Sequence, residues 1–121
     1  MTGKEGEEIA EAFLKKRGYR IIEKNFRSSY GEIDLIAWDV ETLVFIEVKA
    51  RSSDRFGGPV GAVNHRKQVK ISAVAAGFIQ KERLWSAPCR FDVVSIVGQA
   101  GKTTVALFQN AFEAALPEMM S

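Results

Sequence analysis

The stretch GEIDLIAWDVETLVFIEVKAR, residues 31–51, constrains the fold most. Two apolar runs, about 31–38 and 42–50, flank a short break at Asp39–Thr42, the pattern of two strands joined by a turn. Each run is interrupted, the first by Asp34 and the second by Glu47 and Lys49. Alternate residues of a strand share a face, so Glu47 and Lys49 lie together. With Val40 and Glu41 as a two-residue loop, Asp39 sits opposite Thr42, Ile36 opposite Phe45, Asp34 opposite Glu47 and Glu32 opposite Lys49. Directly opposed acids repel unless a cation lies between them. Paired carboxylates are the hard oxygen ligands that suit magnesium. A one-residue slip would move Asp34 to the other face, so this register carries the prediction.

The rest of the chain supplies cover for such a hairpin. From Gly6 to about Arg17, Ile9, Ala10, Phe13 and Leu14 recur at helical spacing, and Gly18 ends the pattern. At about 100° per residue, Glu7 falls roughly 20° from Leu14, at the edge of the apolar arc. Among the helix acids it is the one best placed to look toward the sheet, although acids at a helix start are also favoured by the dipole. Tyr19–Phe26 reads as a strand and RSSYG as a turn. RSSDRFGGPVG is a loop, and Ala62–Lys81 a second helix with Val63, Val69, Ala73, Ala76 and Phe78 among its apolar positions. CRFDVVSIVG and TTVALFQ form a hairpin around Gly98–Lys102. The tail NAFEAALPEMM reads as a short amphipathic turn or a fraying end. The order α-β-β-β-α-β-β specifies an α/β domain, a mixed sheet flanked by helices, and 121 residues make it a single domain over 1–121.

Net charge is only +2, yet residues 1–47 sum to −3 and residues 48–121 to +5. Between Lys49 and Lys70 stand six bases and one acid. A basic region beside an acidic cluster suits a phosphate-bearing partner, and it also suits a solvated face. A single cysteine, Cys89, reads as a buried thiol and fits a reducing compartment. The acid-rich start has no secretory pattern and no apolar run reaches membrane-spanning length, so the expectation is a cytoplasmic protein without a membrane partner.

Three signals carry less. GQAGKTT has two residues between its glycines, where a phosphate-binding loop needs four, and reads as a hairpin turn. His65 reads as an exposed residue near a helix start. Trp38 and Trp85 read as packing residues under the sheet rather than stacking platforms.

Asp34 followed by Glu47–Val48–Lys49 on the next strand resembles the PD-(D/E)xK nuclease superfamily, with its restriction-endonuclease-like fold. More closely, GKEGEEIAEAFLKKRGYRIIEKN, GEIDLIAWD, LVFIEVKARSSDRFG and RFDVVSIVG resemble the YraN-like family of uncharacterised bacterial proteins. The element order is similar to that of archaeal Holliday-junction resolvases. The resemblance implies a nuclease that hydrolyses phosphodiester bonds in DNA, with branched or otherwise structured DNA as a candidate substrate. It implies Mg2+ (or Mn2+) held by Asp34, Glu47 and the carbonyl of Val48, Lys49 as the catalytic lysine, and Glu7 beside the metal. Arg27 and Ser28 would meet nucleic acid, with Arg51, Lys67 and Lys70 as further candidates. A homodimer is expected, through the C-terminal strand or the loop near Gly57. The alternative is a nucleic-acid-binding or scaffolding module that keeps the fold and does not cut.

Overall fold

Helix α1, Gly3–Lys16, begins three residues before the expected start at Gly6. Thr2 caps it: its hydroxyl accepts from the Glu5 N–H at 3.1 Å and the Glu5 carboxylate accepts from the Thr2 N–H at 3.3 Å. This comes from a computed structural model, which describes residues 2–52 and 63–115. The remaining elements are β1 (Arg20–Ser28), β2 (Gly31–Asp39), β3 (Thr42–Arg51), α2 (His65–Glu82), β4 (Cys89–Gln99) and β5 (Lys102–Phe112). The expected α/β order is therefore present. Helix α2 starts at His65 because the Asn64 side chain accepts from the Lys67 N–H at 2.9 Å. Val63, expected inside the helix, lies before it.

The five strands form one sheet in the order β1-β2-β3-β4-β5. All neighbours are antiparallel except β3 and β4, which run parallel from Leu43↔Cys89 to Arg51↔Val97. Parallel neighbours need a crossover, and the segment carrying α2 provides it. Asp39 pairs with Thr42 and Ile36 with Phe45, as the two-residue loop requires. Val40 takes φ +56° in that turn, a costly conformation for a β-branched residue. The second hairpin turns at Ala100 and Gly101, both at positive φ, within the segment read as a phosphate-loop look-alike.

The sheet has a core on each face. On one side Ala10 and Leu14 of α1 pack on Leu35, Ala37, Val44, Ile46, Val94 and Ile96. On the other, α2 lays Ile71, Val74, Ala75 and Phe78 on Ile36, Phe45, Phe91 and Val93. That stripe follows i, i+3, i+4, i+7. The expected stripe through Ala73 and Ala76 is out of phase with it, and Ala76 is exposed. Phe45 joins the layers of this core, stacking on Phe91 at 5.6 Å and meeting Phe78 edge-on at 6.1 Å.

Three other expectations change. Strand β5 runs on to Phe112, so the start of the tail is strand: the Phe112 ring stacks on Phe91 and the Asn110 N–H bonds the Asp92 carboxylate at 2.9 Å. Trp85 lies outside the core at 66% exposure, whereas Trp38 packs against it. Cys89 is exposed at the start of β4. Residues 53–62, including the loop at Gly57 and Gly61, and residues 116–121 lie outside the described part.

Candidate functional site

The β2–β3 ladder ends at Leu35↔Ile46. A two-residue hairpin starting at Asp39–Thr42 makes every second pair exchange its N–H and C=O groups, so the next such pair would be Ile33 with Val48. Instead the Val48 N–H donates to Asp34 Oδ2 at 2.8 Å. The Asp34 side chain thus replaces a ladder bond, and the two strands part here. The face alternation breaks at the same place: Ile33 packs in the α2-side core while Leu35 packs in the α1-side core. Asp34 therefore sits in an opening that both helices reach.

From the α2 side come Glu47, Lys49 and Lys67. Glu47 is 8% exposed, a buried acid in a strand of apolar neighbours. Lys67, one turn into α2, places Nζ 3.4 Å from Glu47 Oε1. From the α1 side comes Glu7, which with Glu32 and Asp34 offers carboxylate oxygens within 4.8 Å of one another. Asn25 of β1, between the pairs Lys24↔Leu35 and Phe26↔Ile33, faces Asp34 and takes φ +53°. Asparagine tolerates that conformation, and its side chain lies near enough to Glu7 to favour that acid's ionised form.

The charges shift one another in a consistent direction. Burial, the hydrogen bond to Glu47 and the Glu47 charge push Asp34 up to about 7, against the Val48 N–H that favours its ionised form. Burial and then the Asp34 charge raise Glu7, partly offset by Asn25. Burial and the neighbouring Lys67 amine lower Lys49. Burial also opposes the charge on Lys67, but its hydrogen bond to Lys49 and the Glu47 and Asp34 carboxylates raise it overall. Of the two amines Lys49 gives up its proton more readily. Four carboxylates thus converge with two amines, and the central acid is disfavoured as an anion. An oxygen-only donor set that resists collecting negative charge matches the demand of a hard divalent cation.

The predicted residues divide by place. Asp34, Glu47, Lys49, Glu7 and Lys67 come together. Val48 lies among them, and its carbonyl leaves the strand on the same side as its N–H. Glu32 does not face Lys49, because the ladder has opened; it accepts from Arg27 at 3.2 Å and joins the acid cluster. Arg27 and Ser28 line a shallow groove of about 330 Å³ with Tyr30 and Glu32. Lys70 and His65 are exposed on α2, and Arg51 ends β3. Sequence reading missed Glu32 and Asn25 as members of the cluster. Glu32 has a signal, its spacing of two from Asp34, but Asn25 has none without the register.

Comparison with known proteins gives a consistent family. A model of the uncharacterised protein family UPF0102 matches residues 6–96. The UPF0102 protein of Syntrophus aciditrophicus is 46% identical over 114 residues, 94% of this chain and 90% of the relative. That of Geobacter metallireducens is 42% identical over 113 residues, 93% of each chain. That of Thermodesulfovibrio yellowstonii is 49% identical over 94 residues, 78% of this chain and 83% of the relative. The identities, the coverage and the family match agree with the motifs quoted above, and the chain belongs to the uncharacterised protein family UPF0102.

Proposed function

We propose that this protein is a metal-dependent nuclease that hydrolyses phosphodiester bonds in DNA. The observation that carries the reading is the parted β2–β3 ladder, where Asp34 takes the Val48 N–H beside the buried Glu47, with Lys49 two residues further on. Asp34, Glu47 and the Val48 carbonyl would hold Mg2+ or Mn2+, and Glu7, steadied by Asn25, would support it from α1. The cation would supply an acidified water and offset charge on the phosphate. Lys49, whose proton is loosened by burial and Lys67, would orient the attacking water, or take a proton from it when its own amine is neutral. Arg27, Ser28, Arg51 and Lys70 would meet the sugar-phosphate backbone, contacts that carry no base sequence. No helix among the described residues is long and apolar enough to cross a membrane. A homodimer would give the small domain enough surface for duplex, and the outer edge of β5 is its natural contact.

The test is a labelled panel of single-stranded, duplex, flap and four-way-junction DNA, incubated with Mg2+ or Mn2+ and with chelator. Cation-dependent cutting of at least one structure, leaving a 5′-phosphate, is expected. Salt-sensitive binding of the panel with no cutting would replace the nuclease by a binding module.

A further inference from the structure

Lys67 stands in the site without being one of the residues that would hold the metal or act on the water. It belongs to α2, whereas Asp34, Glu47 and Lys49 belong to the hairpin. Its Nζ lies 3.4 Å from Glu47 Oε1, and the two side chains differ in burial, 37% exposed for Lys67 against 9% for Glu47. A carboxylate so enclosed is costly to leave without a counter-charge. A lysine is a compact charge on a flexible stem, and here the stem reaches solvent, so it can move off at little cost. A divalent ion on Glu47 and an ammonium at the same oxygen would repel each other strongly at such distances. Both cannot keep that position.

We propose that Lys67 is an exchangeable counter-ion of Glu47. It neutralises Glu47 while the site holds no cation, yields when a divalent cation takes that carboxylate, and then turns its ammonium to a phosphate oxygen of the bound strand. This inference rests on the nuclease reading and adds a coupling to it: cation binding frees a positive charge for the nucleic acid. The device needs the lysine on a different element from the ligands, and α2 supplies that.

The experiment is calorimetric titration of Mn2+ into wild type, Lys67→Met and Lys67→Arg, with circular dichroism to confirm that each is folded. A second arm measures fluorescence anisotropy of a labelled four-way junction in chelator and in Ca2+. Lys67→Met should bind Mn2+ about fivefold more tightly than wild type, the scale of one partly exposed ion pair removed. It should also lose most of the gain in junction affinity that the cation gives wild type, while Lys67→Arg keeps that gain. Unchanged or weaker Mn2+ binding by Lys67→Met, or an undiminished gain in junction affinity, would overturn the inference and leave the nuclease reading intact. A wild type and variants that neither bind Mn2+ nor cut DNA would overturn both.

Discussion

Replacing Asp34 by asparagine should stabilise the cation-free protein, although it removes a residue at the heart of the site. An aspartate that titrates at 3.8 in the ordinary case is held up to about 7 in the fold. Folding therefore strengthens its grip on a proton. Below pH 3.8 both states are protonated and nothing is lost. As pH rises the unfolded chain ionises first, and stability falls until folded Asp34 ionises as well, near pH 7. Three pH units at about 1.4 kcal/mol each set a ceiling of roughly 4 kcal/mol. Local relaxation reduces it, so about 2–4 kcal/mol is expected at pH 8. Asparagine keeps the oxygen that accepts the Val48 N–H and carries no charge toward Glu47. Urea unfolding in chelator at pH 4 and pH 8 measures the effect. Asp34→Asn should exceed wild type by that amount at pH 8, and the advantage should shrink to about 0.6 kcal/mol at pH 4, where the unfolded chain has only begun to ionise. Added Mn2+ should stabilise wild type and not the variant. A variant no more stable than wild type at pH 8, or equally advantaged at both pH values, would refute the electrostatic argument.

Other sites give separable outcomes. Val40→Gly relieves a positive-φ valine that is 87% exposed, and should raise stability by about 0.5–1 kcal/mol in the same urea assay. Arg90 bonds Asp39, Asp92 and the Tyr19 hydroxyl, with Asp92 fully buried; Arg90→Met should cost about 3–5 kcal/mol and leave Mn2+ affinity unchanged, since that network lies at the other end of β2 from Asp34. Asn25→Gly keeps the left-handed backbone and loses the amide near Glu7; it should change stability by less than about 1 kcal/mol while weakening Mn2+ binding several-fold, and Asn25→Ala should cost about 1 kcal/mol more than Asn25→Gly.

Much of this was legible in the residues because the hairpin numbering is rigid. A two-residue loop at Val40–Glu41 fixes every pair back to Leu35↔Ile46, and with it the neighbourhood of Asp34 and Glu47. Where the chain departs from regular geometry the sequence is silent. Glu32 could not be placed because the ladder opens, and Asn25 because a left-handed residue in β1 is invisible to an alternation pattern. Lys67 read as one of six bases in a run, since its reach into the site depends on how α2 crosses the sheet. The stripe on α2 was misphased because an alanine-rich helix offers apolar residues on several faces, and only Ile71, Val74 and Phe78 have the bulk that decides. The network of Tyr19, Asp39, Arg90, Asp92 and Gln109 joins four strands or their approaches, and no local spacing announces it.

Whether this protein cuts DNA at Asp34 and Lys49 is decided by the single-turnover rate of DNA cleavage in Mg2+, on the structure the panel selects, for wild type, Asp34→Asn, Lys49→Ala and Arg90→Met. A chelator-sensitive rate is expected that falls about a hundredfold or more in Asp34→Asn and Lys49→Ala and is retained in folded Arg90→Met. Cleavage that persists in Asp34→Asn or Lys49→Ala, or that is indifferent to chelator, would contradict the proposed site.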